Sequence, residues 1–186
     1  MSQIKKICVV GTGVIGTGWI ARLLANGYEV IATDPAEGAK ERLVASIEKV
    51  WPSLEKHGLH EKASPERLTF EADLLTAVMD ADFIQENVPE REELKRSLLA
   101  EIDQIAKKEA IIASSTSGIK PSVLQADSLN PGRILVAHPF NPVYLIPLVE
   151  LVGGEKTDPE VMDKASRFYE QMGMRPLLVR NEIEGH

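Results

Sequence analysis

The chain has 186 residues, 44% of them hydrophobic and 26% charged, with a net charge of −7. This is the composition of an ordinary soluble globular protein with enough chain to bury one good core, and its acidic balance argues against nucleic acid or an anionic membrane as partner, since both select basic surface. A single cysteine, Cys8, rules out a disulfide framework and points to a reducing compartment, the cytoplasm, while the apolar stretches are broken by proline or glycine well short of a membrane span.

The first twenty residues of the chain organise the rest. Ile7–Val10 is an apolar run that reads as a short buried strand, and Ile15, Trp19, Ile20, Leu23 and Leu24 recur at helical spacing up to a C-cap signal at Asn26-Gly27. Between them stands Gly11-Thr12-Gly13-Val14-Ile15-Gly16, in the strand-to-helix context that a G-x-G-x-x-G match requires. In such a loop Gly11 permits the tight turn, Gly13 lets a pyrophosphate approach the backbone, and Gly16 lets helix and strand pack closely. The helix N-terminus, at Val14 and Ile15, then offers N–H groups to the phosphates. A second strand, Tyr28–Thr33, ends at Asp34, an acid about 20 positions beyond the loop, where the ribose 2′-hydroxyl of a dinucleotide is read. Asp34 could serve simply as a turn residue before Pro35, but strand, loop, helix, strand and acid fall in order. With no Arg or Lys beside it (the nearest charge is Glu37), the carboxylate selects NAD over NADP.

Further on, residues 36–57 carry Leu43, Val44, Ile47, Val50 and Trp51 on one helical face, and Pro52 is expected to kink or end that helix. Residues 58–67 read as loop, 68–70 as a short strand, and 73–80 as a short helix with Leu74, Leu75 and Val78 inward. A strand over 82–88 stops at Pro89. The helix over 90–108 has Leu94, Leu98, Ile102 and Ile105 as its apolar stripe. Strands follow at 110–113, 133–137, 148–152 and 175–180, with helices at 121–126 and at 158–172, the latter with Asp158 as N-cap and Pro159 at its first position. Strands alternating with helices predict an α/β fold: a Rossmann-type, doubly wound, mostly parallel sheet forming one domain over residues 1–186.

Ligands of such sheets sit beyond the carboxyl ends of the strands. Four of those ends carry polar groups: Glu90, Ser114 to Ser117, His138, and Glu150 near the end of its strand. Oxidising an alcohol needs a base for the hydroxyl proton, and histidine titrates in the right range. Glu150 lies twelve residues past His138, close enough for adjacent strand ends to meet and for the carboxylate to hold the imidazole. Packing is the ordinary alternative for a histidine before a proline-rich turn. Ser117 lacks the G-x-S-x-G surroundings of a nucleophile, so hydrogen bonding is its expected role. His57 and His60 have the spacing of metal ligands, but no Cys or carboxylate constellation supports them, and no metal is expected.

The stretch His138-Pro139-Phe140-Asn141-Pro142, together with Gly11 to Gly16, Glu90 and Lys95, resembles the L-3-hydroxyacyl-CoA dehydrogenase family over essentially the whole chain, as the nucleotide-binding half of those enzymes. The resemblance implies His138 as base, Glu150 as its partner, Ser117 near the substrate hydroxyl and nicotinamide, Asn141 assisting, and Glu90 and Lys95 touching the cofactor. Residues 84–91 with Leu94-Lys95, residues 114–118 and residues 142–154 are similar to the branch that oxidises L-carnitine at C3, and the L-gulonate 3-dehydrogenases share much of this pattern. The acyl-CoA enzymes of the family carry a lysine-rich helix after the second strand, whereas residues 36–57 here are charge-balanced, a poor phosphate clamp. A quaternary ammonium would seek aromatic faces, for which Phe140 and Tyr144 are candidates. The family also has a helical C-terminal domain that closes the cleft and forms a homodimer. The chain stops at His186, where that domain is expected to begin, so the expectation for this half alone is NAD binding with little turnover.

Overall fold

The apolar run after Lys5 forms β1 (Lys6–Val10), buried from its second residue onward, because strands on both sides and helices on both faces exclude water from it. The computed structural model describes residues 4–185. After β1 come α1 (Val14–Ala25), β2 (Glu29–Thr33), α2 (Ala39–His57), β3 (Leu68–Phe70), α3 (Leu74–Val78), β4 (Phe83–Glu86), α4 (Glu92–Ile105), β5 (Ile111–Ser114), α5 (Pro121–Leu124), β6 (Ile134–Pro139), β7 (Leu148–Gly153), α6 (Pro159–Gln171) and β8 (Arg175–Val179).

The eight strands form one sheet in the order β3-β2-β1-β4-β5-β6-β7-β8. All neighbouring pairs are parallel except β6 and β7, so the Rossmann-type, mostly parallel sheet is present as expected. The order reverses direction between β1 and β4, which opens the crevice where such sheets bind ligands. Alternation along the strands divides the core in two. Ile7 and Val9 pack with Trp19, Leu43, Ile47 and Phe168 beneath α1, α2 and α6. Cys8 and Val10 pack with Val78, Leu99, Ile102 and Leu124 beneath α3, α4 and α5.

Several local expectations are corrected. Helix α2 begins at Ala39 and runs through Pro52 to His57. Pro52 and Glu48 are both exposed, so the carbonyl deprived of its helical partner faces water. Val44 is 43% exposed, and Leu54 takes its place in the buried stripe. In α3 the Asp73 carboxylate caps the helix by accepting from the Thr76 amide at 2.9 Å, while Ala77 and Val78 turn inward and Leu75 turns out. The buried face of α4 carries Lys95, Leu99, Ile102 and Asp103, one position round from the expected stripe, and Leu94 is exposed. The helix turns that way because both charges meet opposite ones. Lys95 meets Glu86 at 2.7 Å, and Asp103 meets the buried Arg133 at 2.8 Å. Helix α6 does start with proline, but the Asp158 side chain makes no cap bond, and its amide donates to Gly132 O instead. The segment after β8 lies against α5, with Glu182 accepting from the Ser122 amide and Glu184 paired with Lys120.

Candidate active site

The parallel strands deliver five polar segments to one edge of the sheet: Gly11 to Gly16 after β1, Asp34 after β2, Asn87 to Glu90 after β4, Ser114 to Ser117 at β5, and His138 on β6. Gly11 has φ +86° and a Cβ there would stand 2.9 Å from the Asn87 backbone; a Cβ on Gly16 would overlap Gly11 O outright. Loop, helix and sheet therefore meet without room for side chains. Gly13 is different. A Cβ there would have nothing within 4 Å, no side chain caps the N-terminus of α1, and that first turn holds no acid. Val14 is 74% exposed in front of the same space, and Ile15 is partly buried behind it. An open glycine before an uncapped helix end of this length suits a dinucleotide pyrophosphate.

Asp34 accepts from the Thr12 amide at 2.7 Å, the Thr12 hydroxyl at 2.9 Å and the Ala36 amide at 2.9 Å. A carboxylate has about four acceptor positions, so one remains for a ribose hydroxyl. Burial pushes this carboxyl up, but the bonds from Thr12 and Ala36 and the charge of Arg42 outweigh it and hold it below the usual aspartate range. Arg42 overturns one detail of the sequence reading. Asp34 does have a cation close by, because the chain turns back at Gly38 and returns Arg42 toward the strand end.

His138 and Glu150 face each other across the antiparallel β6–β7 pair, with Nδ1 2.9 Å from Oε2 and side chains 19% and 18% exposed. Glu150 lies near the beginning of β7 rather than near its end. Since β7 runs backwards, its beginning meets the edge where the parallel strands finish. With Glu150 ionised, Nδ1 carries the hydrogen and donates it to Oε2, and Nε2 becomes the basic nitrogen. The Phe140 ring lies 5.8 Å from that of His138 and is 39% exposed, whereas Tyr144 packs partly buried against the core. Asn141 is exposed in the connecting loop 140–147. Buried Arg22 holds that loop by donating from Nε to Val143 O at 2.8 Å and from Nη1 to Met172 O at 3.3 Å.

Ser117 is exposed just beyond β5, and Glu90 fixes its loop: Glu90 Oε1 accepts from the Ser117 amide at 3.2 Å, the Gly118 amide at 2.9 Å and the Thr116 hydroxyl. Lys95 is 1% exposed and bridges two acids, Glu86 Oε1 at 2.7 Å and Glu90 Oε2 at 3.7 Å. Fully buried Glu86, which the sequence reading passed over, also accepts from the Val88 amide at 2.6 Å and the Ser114 hydroxyl. Its signal was an acid closing the short strand Phe83-Ile84-Gln85-Glu86 just before the Pro89 stop. On the opposite face of the sheet, Ser115 Oγ accepts from Trp19 Nε1 and Gln85 Nε2 and donates to Asn87 Oδ1, while buried Tyr169 donates to Gln85 Oε1 at 2.6 Å. His57 is exposed and His60 Nδ1 accepts from the Lys62 amide; among the described residues no cluster of His, Cys, Asp and Glu could hold a metal ion. No helix of the described residues is long and apolar enough to cross a membrane.

The family described as 3-hydroxyacyl-CoA dehydrogenase, NAD binding domain, matches residues 6–183. The chain belongs to this family. As a 3-hydroxyacyl-CoA dehydrogenase NAD-binding domain it takes NAD as its cofactor, and the open Gly13, the uncapped α1 and the remaining acceptor of Asp34 fit that group. The chain is 63% identical over 185 residues to the L-carnitine dehydrogenase of Bacillus cereus, covering 100% of this chain and 57% of that protein. It is 58% identical over 181 residues to the L-carnitine dehydrogenase of Oceanobacillus iheyensis, covering 97% and 59%. It thus spans somewhat over half the length of these relatives. Among solved structures, an NAD+-dependent 5-formyl-3-hydroxy-2-methylpyridine 4-carboxylic acid 5-dehydrogenase superposes with a TM-score of 0.91 at 33% identity, over 98% of this chain and 60% of that one. The 3-hydroxybutyryl-CoA dehydrogenase of Escherichia coli superposes with a TM-score of 0.88 at 26% identity, over 95% and 38%.

Proposed function

We propose that the chain is the cofactor-binding half of an L-carnitine 3-dehydrogenase, which oxidises the C3 hydroxyl of L-carnitine to 3-dehydrocarnitine. The observation that carries this reading is the His138–Glu150 pair, 2.9 Å apart on the sheet edge that also bears the glycine loop. The names of the relatives at 58–63% identity support the choice of substrate. When bound, NAD supplies the acceptor for the hydride leaving C3. His138 takes the hydroxyl proton at Nε2, and Glu150, hydrogen-bonded to Nδ1, fixes the tautomer and stabilises the imidazolium. Ser117 and Asn141 hold the reacting oxygen, and Glu90 and Lys95 order the loop that carries Ser117 beside the cofactor. Gly11, Gly13 and Gly16, with Val14 and Ile15, seat the pyrophosphate, and Asp34 reads the ribose. Phe140 offers an exposed ring beside His138 to the trimethylammonium group, whereas Tyr144 packs against the core.

In this reading residues 1–186 act as one NAD-binding unit. The remaining length seen in the relatives supplies a helical domain that closes the cleft and forms a homodimer, and the enzyme works in the cytoplasm. The test is NADH formation by the full-length gene product with L-carnitine, L-gulonate and a 3-hydroxyacyl-CoA in parallel. Turnover of carnitine is expected, and His138→Gln should lower kcat by about 10²–10⁴-fold with NAD affinity unchanged. Undiminished turnover in that variant would remove His138 as base. Preference for another substrate would keep the pair and discard carnitine, and silence on all three with NAD still bound would leave a nucleotide-binding module.

A further inference from the structure

The β2–α2 turn carries a cation that the proposed oxidation does not use. The turn runs Asp34-Pro35-Ala36-Glu37-Gly38, and Gly38, at φ +68°, reverses the chain so that α2 starts at once. One turn into α2 the exposed Arg42 reaches back, with Nη1 donating to Glu37 O at 2.7 Å. That same Nη1 lies 2.9 Å from where a Cβ on residue 38 would stand, so a side chain there would displace the guanidinium from the turn, and the positive φ itself favours glycine. The guanidinium is thereby anchored on the same short turn that begins with the carboxylate expected to read the adenosine ribose. An acid at this strand end selects a free 2′-hydroxyl, and an arginine near it is what accommodates a 2′-phosphate. A guanidinium is the cation best matched to a phosphate, through paired N–H donors.

We propose that Arg42 forms a latent subsite for a 2′-phosphate on the adenosine ribose, and that the charge of Asp34 alone keeps this subsite unused. Both groups are present, and the acid decides between NAD and NADP by repulsion. Membership of the NAD-binding family underlies the inference, whereas the L-carnitine reading does not enter it, so failure of one leaves the other standing.

The test reads binding rather than turnover. NADH and NADPH are titrated against the full-length protein by energy transfer from tryptophan, in the wild type, Asp34→Asn, Asp34→Ser, Arg42→Ala, and each Asp34 variant combined with Arg42→Ala. Asp34→Asn keeps an oxygen for the Thr12 amide and guards against loss of the turn in Asp34→Ser, and circular dichroism checks that each variant is folded. The wild type should bind NADH far more tightly than NADPH. Either Asp34 variant should raise NADPH affinity by about tenfold or more, the size of one charge-assisted contact, and adding Arg42→Ala should take that gain away. Arg42→Ala alone should leave NADH affinity within about threefold of wild type, as befits a rim charge. The proposal is overturned if folded Asp34 variants bind NADH but gain nothing for NADPH, or if the gain survives Arg42→Ala. A wild-type protein that binds neither dinucleotide removes the site and the proposal with it.

Discussion

Replacing Lys95 by Met removes an ammonium while leaving an apolar stem of similar length, and the cost follows from what the ammonium neutralises. Glu86 is fully buried and Lys95 is 1% exposed, with 2.7 Å between Nζ and Oε1. Without Nζ the Glu86 carboxylate keeps the Val88 amide and the Ser114 hydroxyl but has lost the cation nearest to it. Removing one partner of a buried ion pair costs about 3–5 kcal/mol, and the two remaining donors place the expected loss toward ~3 kcal/mol. In a domain of this size each kcal/mol moves Tm by about 2–4 °C, so Lys95→Met should melt about 6–12 °C below the wild type. Urea unfolding followed by circular dichroism and by tryptophan emission gives the free energy directly. Glu86→Gln combined with Lys95→Met should recover most of the loss, because the amide still accepts from Val88 and no charge is left stranded. A Lys95→Met protein within about 1 kcal/mol of wild type would place the pair among exposed ones and refute the reasoning.

The two glycines of the loop should part company. Gly13→Ala meets no protein atom and should fold with unchanged stability while losing NAD affinity in titration, whereas Gly16→Ala, whose methyl would overlap Gly11 O, should unfold at clearly lower urea; equal NAD binding by Gly13→Ala and wild type would contradict the pyrophosphate assignment. Burial pushes the Cys8 thiol up to about 12. It should therefore resist Ellman's reagent in the native protein near pH ~8 and react only as urea unfolds the chain; rapid native labelling would refute its burial. Asp34 and Asp82 are each pushed up by burial, but hydrogen bonds from Thr12 and Ala36 and from the Lys6 and Lys5 amides, aided by the charges of Arg42 and Lys107, hold both below the ordinary aspartate value. A depressed folded pKa means the unfolded chain binds the proton first, so their stabilisation is present above about pH 4 and is lost as pH falls through the native values. Urea midpoints should drop across that acid window, and Asp82→Asn should shallow the drop; an unchanged slope would count against it.

What could be read from sequence was what local chemistry encodes. The run from β1 through Gly11, Gly13 and Gly16 to Asp34 was legible because turn, helix start and buried strand each leave a signature within a few residues. His138 was legible at a strand end punctuated by Pro139 and Pro142, and Glu150 by its spacing of twelve residues from it, although β7 runs the other way and brings its beginning to the site. The orientation of α4 was not, since its buried face includes Lys95 and Asp103, whose partners Glu86 and Arg133 come from other elements. Arg42 was missed for a related reason: only the reversal at Gly38 returns it toward Asp34. Tyr169 joins Gln85 from 84 residues away, beyond the reach of any periodicity. The antiparallel turn of β7 did have a signal that alternation of strands and helices obscured. The connection 140–147 is shorter than the dozen or more residues a parallel crossover needs.

That short connection separates two tasks within the same hairpin. The spacing of His138 and Glu150 is set by the ladder from Leu135–Gly153 to Pro139–Val149, so the pair is a property of register and not of the loop that joins it. Residues can be exchanged, added or removed within 140–147 and the two side chains will still meet, provided the strands stay in step. A single residue inserted between Glu150 and Gly153 would instead turn the carboxylate to the opposite face. The hairpin is thus a fixed jaw with an interchangeable tip, free to change what it grips while the grip itself is kept.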